Sequence, residues 1–296
     1  MIPKKKIKLY SWKAPGGQPN FGDELGPELI QNLFSYIEVV YEPDITKADM
    51  ISVGSLLHIL LDLEHHRPRK KMHIWGSGTI YPLQASVGSI KETYPLHDFS
   101  TLNFSKLKFH AVRGKLTQKD LKLPALPLGD PGILVNKVYK ESPVKENKVG
   151  IIPHFEEADH PLIKQLAADS RFKIIDVLRT PQDVITDITS CNLVFSSSLH
   201  GLIVADSFSI PNLHMNLSDR LVGGDFKFED YYSAIGKQHQ LADLDLMLTQ
   251  DYQEQLIQDY QPIEALQEKQ EALLKAFPYR KTNYIYSLLA KLKIIS

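Results

Sequence analysis

The chain has 296 residues, 43% of them hydrophobic and 23% charged, with a formal net charge of −1. That is the composition of a soluble globular protein, long enough for two domains or one large one and able to bury a core without covalent staples. The balanced charge gives no footprint for nucleic acid, and the single cysteine, Cys191, excludes an internal disulfide; beside an apolar run it reads as a buried, inert thiol.

The first six residues include three lysines, but an apolar signal core is missing because Tyr10-Ser-Trp-Lys-Ala-Pro-Gly-Gly follows at once. No apolar run approaches the ~20 residues that cross a bilayer, so the expected location is the cytoplasm. Residues 7–12 read as a strand, followed by a Gly/Pro loop. A helix pattern over 23–36 places Leu25, Leu29, Ile30, Leu33 and Phe34 on one face, with Asp23 and Glu24 suited to its first turn. Strands are expected at 38–41, 50–53, 72–75 and 109–112, and a short helix at 116–121. A charged linker, residues 136–148, marks a boundary. Beyond it come strands at 149–152, 172–177, 193–195 and 212–215, with helices at 161–168, 181–189 and 202–208. After residue 240 the chain turns helical and charged.

Strands alternating with helices mean parallel βαβ units. The segments ADMISVGSLLH (48–58) and CNLVFSSSLH (191–200) echo each other in layout. Together these features fit an α/β protein of two Rossmann-like halves facing across a cleft. The expected division is 1–140, 149–240 and a C-terminal helical segment 241–296.

In open parallel sheets ligands bind beyond the carboxyl ends of the strands. Here those ends carry small or polar residues: residues 16–24 with Asn20, Asp23 and Glu24, then Gly54-Ser55, Gly76-Ser77-Gly78-Thr79, Arg113-Gly114, His154, and Ser196-Ser197-Ser198-Leu199-His200-Gly201. None forms a Walker or G-x-G-x-x-G fingerprint. A strand-to-helix junction offers free N–H groups and a positive dipole end, and small side chains let an anion approach them. Serine hydroxyls add donors, and His200 adds a group that titrates near neutrality. The same residues also admit a structural reading. The serines can serve as a helix cap, His200 as a first-turn histidine, Arg113 as a surface arginine and His154 as a structural residue. The other histidines, His214 and His239 among them, are assigned no role, and no metal spacing is visible.

Taken in order, NFGDELGPELI (20–30), IWGSGTI (74–80), AVRGKLTQKDL (111–121), LGDPGIL (128–134), VGIIPHF (149–155) and SSSLHGLIVADSFSIPNL (196–213) resemble the polysaccharide pyruvyl transferase family, in the branch that ketalises exopolysaccharide sugars. The resemblance spans roughly residues 5–240. It implies a fold like GT-B glycosyltransferases, phosphoenolpyruvate as donor substrate with no further cofactor, and a cyclic pyruvate ketal as product. It also implies a saccharide acceptor, in a bacterial surface polysaccharide, capsule or lipid-linked precursor. The family histidine that contacts the donor corresponds to His200. Many members carry Arg two residues before it. This chain has Ser198 there, which leaves the donor's cation to be found.

Ketalisation needs an acid for the methylene carbon, a base for hydroxyl protons and cations for the phosphate. On this reading His200 is the acid or phosphate partner, and Arg113 is an anion clamp helped by Ser197 and Ser198. His154, Gly76 and Ser77 also line the donor site. Asn20, Asp23 and Glu24 hold or deprotonate the acceptor. A nucleotide-sugar glycosyltransferase on the same architecture is the alternative, and a non-catalytic sugar-binding module the third reading. Residues 282–296 place Tyr284, Ile285, Leu288, Leu289, Leu292 and Ile295 on one helix side. Arg280, Lys281, Lys291 and Lys293 flank or oppose them, a pattern for an interfacial helix at a membrane or for a helix packed across the two domains.

Overall fold

The computed structural model describes residues 4–13, 17, 19–61, 68–83, 104–140 and 144–280. The apolar runs pair into two sheets. In the first, β1 (Lys5–Tyr10), β2 (Ile37–Tyr41), β3 (Met50–Ile51), β4 (Met72–Trp75) and β5 (Leu107–Ala111) lie in the order β2-β1-β3-β4-β5, with every pairing parallel. In the second, β6 (Val149–Ile152), β7 (Phe172–Ile174), β8 (Leu193–Ser196) and β9 (Asn212–His214) lie in the order β7-β6-β8-β9, again parallel. Parallel strands need crossovers, and these are supplied by α1 (Phe21–Leu33), α2 (Leu57–Leu61), α5 (Pro161–Ala167), α6 (Pro181–Ser190) and α7 (Leu199–Ser207). The remaining helices are α3 (Lys115–Asp120), α4 (Val135–Val138), α8 (Phe226–Ile235), α9 (Gln250–Asp259) and α10 (Leu266–Ala276).

Both sheets wind outward in two directions from their first strand. The switch points fall between β1 and β3 in one sheet and between β6 and β8 in the other. Such points open a crevice at the carboxyl end of a sheet, so two crevices are available.

The halves share one apolar core. Phe21, Leu25 and Leu29 of α1 pack in a single cluster with Ile133 and Leu134, with Val184 and Ile188 of α6, and with Leu202 and Ile203 of α7. An interface this apolar holds the two halves in one relative position. Helix α7 is buried on nearly every side, as expected for a helix clamped between a sheet and a neighbouring half.

Several boundaries differ from the sequence expectation. The linker assigned to 136–148 starts too early, because α4 occupies Val135–Val138. Asn136 Nδ2 donates to Ser207 O at 2.7 Å and its Oδ1 accepts from Gln270 Nε2 at 2.9 Å. The charge-rich neighbourhood hides the apolar pair Val135 and Val138. The helix expected from 202 begins at Leu199, with Ser198 as its N-cap. Gly201, which reads as a loop residue, instead allows close packing: a β-carbon there would meet Ser196 Oγ at 2.5 Å and Ile152 Cδ1 at 2.9 Å. Between the strand at 212–215 and residue 240, where the sequence assigns no element, lies α8, capped at its end by Gly236 with φ of 78°. α10 returns to the first half, where Trp75 Nε1 donates to Leu273 O at 2.9 Å and Phe277 stacks on Phe34 at 3.7 Å. The amphipathic tail 282–296 lies outside the described residues. Among the described residues, no helix is long and apolar enough to cross a membrane.

Candidate active site

The first crevice is built by the turn from β1 into α1. Asn20 is the N-cap, its Oδ1 accepting from Gly22 N at 3.0 Å. Asp23 is recessed beside Gly54, where a β-carbon would come within 3.7 Å of Asp23 Oδ1. Burial, then the nearby Glu24 and Asp130 carboxylates, push its pKa up to about 8 against the opposing pull of Lys227. This environment favours the protonated acid of Asp23 over its carboxylate. Glu24 turns the other way, pairing with Lys13 at 3.0 Å. It lines an open cavity of about 590 Å³ with Lys13, Glu28, Tyr41, Tyr139 and Gln182. Buried Asp130 caps the 3-10 turn Pro131–Leu134, accepting from Gly132 N at 2.8 Å, and its pKa is raised to about 6 by burial.

The second crevice is built by β6 and β8. Ser196 Oγ donates within the turn and accepts from Ser198 N at 3.0 Å, and Ser197 Oγ accepts from His154 N at 2.8 Å. The Ser198 side chain makes no cap hydrogen bond. His200 is the second residue of α7, so the positive end of that helix opens beside its ring. Burial, then Arg113, Lys227 and His154, push the His200 pKa down to about 3. Its ring is neutral at pH 7. Its Nε2 lies 3.9 Å from Asp130 Oδ2, beyond hydrogen-bond length. His200 Nε2 and His214 Nε2 are both buried without a hydrogen-bond partner among the described residues. Burial also holds His154 neutral, with its pKa lowered to about 3.

The crevices face each other. Gly22 of α1 sits against His200 of α7, and Phe21 N donates to Val177 O at 2.9 Å across the same seam. Arg113 lies at the far wall with no exposed surface. Its Nε donates to Asp230 Oδ2 at 3.0 Å, its Nη1 to Ser55 Oγ at 2.7 Å and its Nη2 to Thr79 O at 2.5 Å. Asp230, on α8, also accepts from Thr117 N at 2.8 Å and Thr117 Oγ1 at 2.7 Å. The guanidinium expected to clamp an anion is thus committed to bracing the two halves.

A second buried cation stands in the cleft, Lys227 in the first turn of α8, which sequence reasoning missed. It is buried and makes no ion pair with the described residues. Its ammonium stands over the Phe228 ring at 5.3 Å from the centroid. Burial and then Arg113 lower its pKa to about 8, against Glu156, Glu157 and Asp23. The signal available in sequence was Gly223-Gly224-Asp225 before an amphipathic run ending in Gly236. Gly76 and Ser77, also expected at the donor site, make close contacts within the first half. Ser77 Oγ donates to Gly54 O at 2.8 Å and accepts from Leu56 N at 3.1 Å. Gly76, with φ of 85°, lies where a β-carbon would strike Pro131 Cδ at 2.2 Å.

Two parallel Rossmann-like sheets, joined so that their switch-point crevices oppose each other, make a GT-B-like fold. In agreement, a crystal structure of a candidate UDP-N-acetylglucosamine 2-epimerase from Listeria monocytogenes superposes with a TM-score of 0.50 at 10% identity, covering 95% of this chain and 96% of that one. The chain belongs to the polysaccharide pyruvyl transferase family, whose sequence model matches residues 2–219. Among its relatives, the succinoglycan biosynthesis protein ExoV of Rhizobium meliloti is 27% identical over 241 residues, 78% of this chain and 65% of that protein. Protein L143 of Acanthamoeba polyphaga mimivirus is 36% identical over 143 residues, 43% of this chain and 48% of that protein. The matches therefore span between about half and two thirds of these relatives' lengths.

Proposed function

We propose that the cleft transfers the enolpyruvyl group of phosphoenolpyruvate onto two hydroxyls of one sugar. The product is a cyclic pyruvate ketal on a surface polysaccharide or its lipid-linked precursor, and phosphate is released. The observation that carries this reading is the opposed pair Asp23 and His200. They meet where Gly22 abuts the His200 ring, and burial favours the protonated acid of Asp23 and the neutral ring of His200, on adjoining walls of a cleft that also holds Lys227 and a helix N-terminus. Environments that drive two titratable groups apart assign their roles. Family membership and the relative named for succinoglycan biosynthesis supply the substrate class.

Phosphoenolpyruvate is small and densely anionic, so its phosphate suits the start of α7, the Ser198 hydroxyl and the Lys227 ammonium. Asp23 gives its proton to the methylene carbon, making a methyl group and an oxocarbenium-like centre at C2. A sugar hydroxyl adds to C2 and loses its proton to His200. The C2–O bond to phosphate then breaks, and the phosphate leaves toward Lys227. The second hydroxyl closes the ring and releases the other proton. Asp130, close to His200, steadies the imidazolium that forms. Arg113 adds fixed positive charge from behind while bracing α8. The cavity beside Glu24 offers carboxylates, an amide and the two tyrosines Tyr41 and Tyr139, groups suited to a saccharide chain entering from the Asn20–Glu24 side.

The test is incubation with phosphoenolpyruvate and a panel of nitrophenyl and lipid-linked glycosides. The expected result is a mass gain of about 70 daltons on one acceptor, with one phosphate released per ketal. Consumption of a nucleotide sugar with phosphoenolpyruvate untouched would instead make the protein a glycosyltransferase.

A further inference from the structure

Three residues spaced 11 and 14 positions apart converge beside α8. His214 ends β9, Asp225 stands at the N-cap of α8, and His239 lies in the loop that follows α8. His214 Nδ1 is 2.8 Å from His239 Nε2 and 3.8 Å from Asp225 Oδ1, and the three candidate ligand atoms all lie within 4.8 Å of one another. Nitrogen and oxygen ligands at about 2.0–2.2 Å from one ion stand some 3–3.6 Å apart, so modest side-chain adjustment satisfies all three.

The rings are held rather than loose. His214 stacks on Phe228 at 3.6 Å and 19°, while His239 stacks between Phe228 and Tyr232 at 5.8 and 5.7 Å. The backbone is fixed as well, with Ala242 N donating to His214 O at 2.7 Å and Lys237 N to Tyr232 O at 3.1 Å.

We infer that His214, Asp225 and His239 form a binding site for one divalent transition-metal ion of the zinc class, with a water completing the coordination. Two imidazoles and one carboxylate favour zinc, cobalt or nickel over magnesium or calcium. The ion would tie β9, the start of α8 and the loop after it into one unit. It would thereby fix the turn of α8 that carries Lys227.

The experiment uses tag-free full-length protein, stripped with chelator and titrated with Zn²⁺ and with Co²⁺. The His73 and His110 rings also stand 2.8 Å apart, Nδ1 to Nε2, but lack a third ligand among the described residues, so His110→Ala serves as the control. Wild type and His110→Ala are expected to bind one ion each, with visible Co²⁺ absorption and a melting temperature raised by roughly 5 °C at a hundredfold excess over Kd. His239→Ala is expected to lose at least about 100-fold in affinity, and Asp225→Asn at least about tenfold. If His239→Ala does not fold, Asp225→Asn decides alone. No binding by wild type below about 100 µM metal, or affinity unchanged in the decisive variant, would show that the two rings form only a hydrogen-bonded pair, and the inference would be overturned.

Discussion

Gly22 and His200 come from opposite halves of the fold and meet without room for a methyl group between them. A β-carbon on Gly22 would stand 2.2 Å from His200 Nδ1 and 2.7 Å from Cγ. The whole ring would have to shift, not just its tip. Gly22→Ala is expected to remain folded, because the surrounding apolar cluster is untouched, and to lose about tenfold or more in kcat. Unchanged kcat in this variant would mean that the position of His200 does not matter to turnover.

His200→Ala is expected to lower turnover about 10²-fold or more with little loss of stability. Because burial pushes the His200 pKa down to about 3, the ring should stay neutral and competent as pH falls from 7 to 5. An acid limb near pH 6.5 that disappears in His200→Gln would show that the ring works in its charged form and would reverse the roles assigned here.

Asp23 carries the opposite sign. Its folded pKa, about 8, lies above its ordinary value of 3.8. The native protein therefore holds a proton that the unfolded chain has released, and stability from this group falls as pH rises from about 4 to 8. Asp23→Asn should abolish turnover yet match the wild type in stability at pH 4. At pH 9 it should exceed the wild type by several kcal/mol, up to about 5 for a shift of this size. Equal denaturant midpoints at pH 9 would contradict the burial argument.

Lys227 and Arg113 should separate binding from bracing. Lys227→Met is expected to raise the Kd for phosphoenolpyruvate about tenfold to hundredfold, with the fold intact. Arg113→Ala leaves the Asp230 carboxylate buried without its charge partner, and it is expected to cost about 3–5 kcal/mol of stability. Arg113→Lys should restore only part of this, since a point charge cannot reach Asp230, Ser55 and Thr79 together. A stable Arg113→Ala protein with weakened donor binding would make Arg113 the anion clamp that the sequence suggested.

The strand ends were readable because an apolar run stopping at small residues is a local pattern. The pattern exposed Gly54-Ser55, Gly76-Ser77, His154 and the serines before His200. The echo between 48–58 and 191–200 was also real in geometric terms, since His58 is the second residue of α2 and His200 the second of α7. Lys227 and Asp230 were not legible. Nothing in FKFEDYYSAI states that it will lie under the arginine after β5, because that placement depends on how the two halves dock. Arg113 was legible as a strand-end cation, but its pairing with Asp230 was not, since a sequence shows a charge and not the carboxylate beside it. Likewise His214, Asp225 and His239 have no metal spacing along the chain, and only β9 and the two ends of α8 bring them together.

The most direct measurement is the mass of the acceptor after reaction with phosphoenolpyruvate in D₂O and in H₂O. Protonation of the methylene carbon by an exchangeable acid predicts, once exchangeable positions are returned to hydrogen in H₂O, a gain of about 71 daltons for the reaction run in D₂O and about 70 for that run in H₂O. One deuterium should lie in the new methyl group, one phosphate should be released per ketal, and Asp23→Asn should yield no product. A wild-type protein that leaves phosphoenolpyruvate unconsumed with every glycoside in the panel, or a ketal methyl group formed in D₂O without deuterium, would contradict the account.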